Sequence, residues 1–179
     1  MKFATVTDCR YKEMLTAHEI FGFMSPALSA EIVVQTHEAD KQLYRGVLAG
    51  IAEAKKVRPV FLERKPRADQ HKEMVGMLTK PRLDALAVQL LQNWLLKHQT
   101  TMLTDFLDAL GIKHDKGAVE DLPEKMEDGK LKPAVENLLA KFPKEKVAVY
   151  LRAFNDLNQA KWQNLAEMLD KDQRLQLGA

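Results

Sequence analysis

Cysteine is almost missing from this chain of 179 residues. Cys9 stands alone, which rules out an internal disulfide, and with only Arg10 and Lys12 beside it there is no base to make it a nucleophile. Long apolar runs are missing as well. The longest are a few residues, too short for a bilayer span, and the amino terminus lacks the charged-then-apolar run of a secretory signal. The expectation is a cytoplasmic protein with no membrane partner. An excess of one charge is also lacking, since 27 Lys and Arg stand against 25 Asp and Glu for a net +2. A chain so nearly neutral has no overall attraction for nucleic acid or membrane, so any electrostatic role must be local.

Patterns that carry chemistry are equally sparse. Neither Gly-x-x-x-x-Gly-Lys nor Gly-x-Gly-x-x-Gly occurs, so no phosphate-cradling loop is written in the chain. The histidines, His18, His37, His71, His98 and His114, include no two that lie three or four residues apart, the spacing that aims two imidazoles of one helix at one metal. His37 and Asp40 share a helical face and read as a solvated hydrogen bond. His98, beside Trp94 and Met102, reads as a buried neutral imidazole bonded to a free carbonyl rather than as a general base. His114-Asp115 alone has an enzymatic echo, because helical phosphohydrolases of the HD type hold metal with such a pair plus a distant His and Asp. No catalytic residue, metal ligand or cofactor is assigned, and an enzyme is the less favoured reading.

What the chain does have is apolar periodicity. Apolar residues make up 46% of it, enough to build a core. The strongest helical signal runs from Arg82 to Gly111, with Leu83, Leu86, Leu90, Trp94, Met102, Phe106 and Leu110 on one stripe. Thr79 and Pro81 suit its start; Thr100 or Thr101 suits the start of a second helix that stops at Gly111, one bent helix being the alternative. Ser25-Pro26 opens what should be the longest helix, reaching about Val57. On it Gly46, Gly50 and Ala54 repeat every four residues, which favours a closely packed helix over a ligand at that face.

Two prolines keep Val57 to Arg67 from a regular helix, and Val60, Phe61 and Leu62 are expected to plug into the body. Other helices are read from Thr7 or Asp8 to Met24, over Asp69 to Leu78, from Lys132 to Phe142, after Pro143 with Val147, Tyr150, Leu151 and Phe154 facing in, and after a cap at Asn158. The whole predicts one all-α domain over 1–179, a multi-helix orthogonal bundle of seven to nine helices. An irregular arm (1–8), an acidic loop (112–129) and a frayed tail (171–179) complete it.

Charge pattern is the most specific feature. From Lys55 to Lys72 seven cations stand against two anions, and from Asp115 to Asp128 six anions stand against two cations. The candidate contact residues are therefore Lys55, Lys56, Arg58, Arg64, Lys65 and Arg67 on the basic side and Glu120, Asp121 and Glu124 on the acidic side. Phe61 is the only aromatic in the basic segment, where a nucleic-acid stacking platform would show several, so phosphate or nucleic-acid binding through 55–72 ranks behind a protein partner or self-association. The leading expectation is a non-enzymatic protein-interaction module, with an HD-like metal-dependent hydrolase as the alternative.

Two segments, Arg58-Pro59-Val60-Phe61-Leu62-Glu63-Arg64-Lys65-Pro66-Arg67 and the stretch from Met102 to Asp115, resemble parts of an uncharacterised bacterial all-helical family. The resemblance covers most of the chain from Ser25 onward. It implies a helical fold and a cytoplasmic setting, and supplies no activity, cofactor or catalytic residue.

Overall fold

Side chains that hydrogen-bond free backbone groups set where several of the helices begin. In this computed structural model, which describes residues 14–157 and 161–178 with the side chain of Leu157 excepted, α1 (Ala17–Phe23) starts after Thr16. The Glu19 carboxylate accepts from both the backbone N–H and the hydroxyl of Thr16, each at 2.8 Å. The earlier start expected at Thr7 or Asp8 lies outside the described residues. Pro26 opens α2 (Pro26–Ala39) as the sequence implies, with the Ser25 hydroxyl accepting from the Leu28 N–H at 3.2 Å.

The long helix expected from Pro26 to Val57 is divided. Asp40 leaves helical geometry (φ −139°, ψ 77°), and its carboxylate caps α3 (Lys41–Ala54) by accepting from the Leu43 N–H at 2.9 Å. A short acidic side chain offers the backbone a local alternative to continuing the helix, and Lys97 and Asn93 hold that side chain from across the molecule at 2.9 and 3.3 Å. Of the small-residue repeat on α3, Gly50 is closely packed, since a Cβ there would stand 2.7 Å from the Leu86 side chain, whereas Gly46 is exposed with nothing within 4 Å.

Pro59 starts a five-residue helix, α4 (Pro59–Glu63), and Pro66 precedes α5 (Arg67–Leu78). A 3₁₀ turn (Pro81–Leu83) leads into α6 (Asp84–Asn93), a π-helical turn (Trp94–His98) follows, and α7 (Thr100–Leu110) ends on Gly111 in the left-handed region at φ +72°. The stretch is thus two α-helices joined by a wide turn. The chain then runs as a loop to Glu127, two residues short of the expected end, and finishes with α8 (Asp128–Lys141), α9 (Lys144–Leu157) and α10 (Gln163–Lys171). Ten α-helices among the described residues exceed the expected seven to nine, because Asp40 adds one and the Pro59 segment is helical after all. No strand occurs among the described residues, and no helix is long and apolar enough to cross a membrane.

One continuous core runs through these helices. Trp94, Phe106, Tyr150, Phe154 and Trp162 meet edge-on, tilted or stacked at its centre, Phe106 and Phe154 with ring centroids 5.3 Å apart. The expected frayed tail is instead anchored. A 3₁₀ turn (Gln173–Leu175) buries Leu175 completely, and Arg174 donates to Glu136 at 3.0 Å and to Asp172 at 2.7 Å.

Candidate functional site

Among the described residues the His-Asp dipeptide assembles no metal centre. His114 Nε2–H donates to Asp108 and its Nδ1 accepts from the Gly117 N–H, both at 3.1 Å, so both ring nitrogens are engaged inside one turn. Asp115 exchanges backbone hydrogen bonds with Ala118 at 2.9 Å. Among the described residues no group of three or more His, Cys, Asp or Glu side chains could hold a metal ion. His18 is likewise structural: Asp84 accepts from its backbone N–H and its Nδ1, each at 2.8 Å. The expected His37 to Asp40 pair is absent, because Asp40 caps α3 while the His37 ring lies against Tyr44, 4.7 Å away between centroids. His98 Nε2 is buried with no hydrogen-bond partner, in place of the expected bond to a carbonyl.

The basic segment divides into engaged and free cations. Lys55 and Lys65 converge on the carboxylate of Glu73. Their hydrogen bonds hold the Glu73 carboxyl below the usual carboxylate range. Arg67 turns inward over the Tyr44 ring. Lys56, Arg58 and Arg64 are exposed, with no ion pair among the described residues. The apolar residues between them correct the expectation. Leu62 alone is buried, while Phe61 is 59% exposed and Val57 and Val60 about two-fifths. Five residues make too short a helix to bury all three of its large apolar side chains, and Lys56, Arg58 and Arg64 are exposed in the same stretch.

The acidic loop is the reverse. Ile112, Val119 and Leu122 pack partly buried against the core, as expected of anchors. Gly117, at φ +92°, allows the loop to close over Leu103, which a Cβ would meet at 2.7 Å. Trp162 Nε1–H donates to the Pro123 carbonyl at 2.7 Å and pins the loop to the helix behind it. Glu120, Asp121 and Glu124 face outward and edge an apolar groove of about 590 Å³. Leu95, Leu103, Leu107 and Phe154 line it with Leu96, which is 61% exposed, and with Tyr150, whose hydroxyl is buried and without a hydrogen-bond partner. Burial raises that hydroxyl's pKa, so it remains a neutral donor. No ion pair or hydrogen bond joins the basic segment to the acidic loop among the described residues.

The chain matches no family model, and no curated protein and no solved structure is significantly similar to it. Both charged segments are legible in the amino-acid sequence, and the groove is not. Leu96 continues the exposed face of Ala85, Gln89 and Gln92, where an apolar residue interrupts an otherwise small or polar row.

Proposed function

We propose that the chain is a non-enzymatic interaction module that self-associates: the α4 ridge of one copy seats in the acidic-edged groove of another. The observation that carries this is Phe61, more than half exposed and near Val57 and Val60 in a stretch that also carries the exposed Lys56, Arg58 and Arg64. Exposed apolar side chains gathered in one short stretch mark contact surfaces, and here the chain also holds a receptor of opposite charge. A ridge of five residues buries far less than the roughly 1,200 Å² of a stable interface, so one contact alone is weak, and two related by a twofold axis close a dimer. Its setting is read as the bacterial cytoplasm, from the lone cysteine and the family resemblance of residues 58–67 and 102–115.

Analytical ultracentrifugation across protein and salt concentration tests this reading. Mass should rise above the monomer at high protein and low salt, fall as ions screen the contact, and return to the monomer in Phe61→Asp. A monomer under every condition, or an oligomer indifferent to Phe61→Asp, would reject it.

A further inference from the structure

Arg67 is the one cation of the basic segment that is drawn into a second, separate recess. Between α2, α3 and α5 lies a cavity of about 570 Å³ lined by His37, Lys41, Tyr44, Arg45, Glu63 and Arg67. Its floor is fixed by Gln70, only 4% exposed. The Tyr44 hydroxyl and Arg67 Nη1 donate to the Gln70 amide oxygen at 3.0 and 3.1 Å, and the Gln70 amide nitrogen donates to the carbonyls of Glu63 and Lys65, both at 2.9 Å. The guanidinium is thereby held 5.6 Å over the Tyr44 ring with further N–H donors to offer. Lys41 and Arg45, one turn apart on α3, are exposed and form no ion pair among the described residues. Glu63 is the one carboxylate on this lining, so positive charge is in excess.

His37 lines the recess, and His71 packs behind it against His37 and Tyr44. His37 and His71 lie 5.9 Å apart, each edge-on to Tyr44, and His71 Nε2 is buried with no partner. Burial first, then the charges of Arg67 and Lys41, lower the pKa of His37; burial, then His37 and Arg67, lower that of His71. Glu38 on α2 is the one group acting the other way on His37.

We infer that this recess binds the phosphate of a small phosphomonoester, with Arg67, Lys41 and Arg45 as its cationic partners. A planar guanidinium fixed in place suits the tetrahedral oxygens of a phosphate, and a dianion offsets the unbalanced charge better than a carboxylate would. The bound charge also removes part of what keeps the two imidazoles neutral, so both histidine pKa values rise on binding. The charged and titratable groups facing them are Glu38 from α2, Lys41, Tyr44 and Arg45 from α3, Glu63 from α4 and Arg67 from α5. This inference is independent of self-association and survives its failure.

The test titrates the protein with glycerol 2-phosphate at constant ionic strength while the histidine ring resonances are followed by NMR at several pH values. Saturable shifts of His37 and His71, with raised pKa values and with His114 unmoved, are the expected result. Lys41→Gln and Arg45→Gln should each weaken binding severalfold and Arg67→Gln about tenfold or more. Since Arg67 also braces Gln70 and Tyr44, the two exposed α3 variants decide the matter if Arg67→Gln misfolds. A response no different from sodium chloride, or saturation unchanged in Lys41→Gln and Arg45→Gln, would overturn the site. A parallel arm offers the same group on phosphatidylcholine vesicles doped with phosphatidic acid; co-sedimentation without any response to the free ester would overturn the assignment to a small molecule.

Discussion

The basic segment around α4 keeps Leu62 inside and turns Val60 and Phe61 to solvent, whereas the acidic loop keeps Ile112, Val119 and Leu122 against the core and turns mainly charged side chains out. The cations are also less available than the anions. Lys55, Lys65 and Arg67 are held by Glu73, Gln70 and Tyr44, while Glu120, Asp121 and Glu124 are left facing water. The two regions therefore complement rather than mirror each other: one is an apolar knob with a thin basic fringe, the other an apolar socket with an acidic edge. Charge without accompanying apolar surface is ordinary solvated exterior, and what singles these regions out for the proposed contact is where their hydrophobic residues went.

Breaking the socket should cost the fold, and breaking the knob should not. Trp162→Ala removes a fully buried ring and the donor that holds Pro123, and is expected to lower unfolding free energy by about 3–5 kcal/mol in denaturant titrations. Phe61→Ala should stay within about 0.5 kcal/mol of the parent. Equal losses from the two would erase the distinction.

A smaller effect separates the engaged carboxylate from the free ones. Glu73→Gln is expected to cost roughly 1 kcal/mol near pH 7, and Glu124→Gln nothing beyond about 0.5 kcal/mol. Because the Glu73 pKa is depressed in the folded protein, its contribution is complete above the unfolded value of 4.5, shrinks as pH falls from there towards the folded value, and is gone below it. Unfolding curves of the parent and Glu73→Gln should therefore converge on acidification. Curves that stay apart at low pH would show that Lys55 and Lys65 contribute nothing through that carboxylate.

Periodicity made the core legible. Leu83, Leu90, Trp94, Met102, Phe106 and Leu110 are all buried, and so are Val147, Tyr150, Leu151 and Phe154. Leu86 is partly buried because it fills the space above Gly50. Ser25-Pro26 and Gly111 marked a start and a stop correctly because capping is local chemistry. Asp40 was equally local, yet its polar side chain sits where an amphipathic helix also tolerates one, so the pattern alone did not divide α2 from α3. Val60 and Phe61 were misplaced for a different reason. Apolarity predicts burial only where an element is long enough to turn a whole face inward, and α4 is not. The recess of His37, Tyr44 and Arg67 was illegible because these residues come from three helices and only Arg67 belonged to a charge run.

The central claim is that knob and socket recognise each other, and reversing their charges tests it without disturbing the core. Arg58→Glu with Arg64→Glu makes the ridge acidic, and Glu120→Lys with Glu124→Lys makes the groove edge basic; these four residues are exposed. Sedimentation of each double variant alone should show monomers, since like charges now face across every contact. Mixed in equal amounts, the two should associate about as well as the parent, because both contacts of a mixed pair are again complementary. A mixture that remains monomeric while the parent associates would contradict the account.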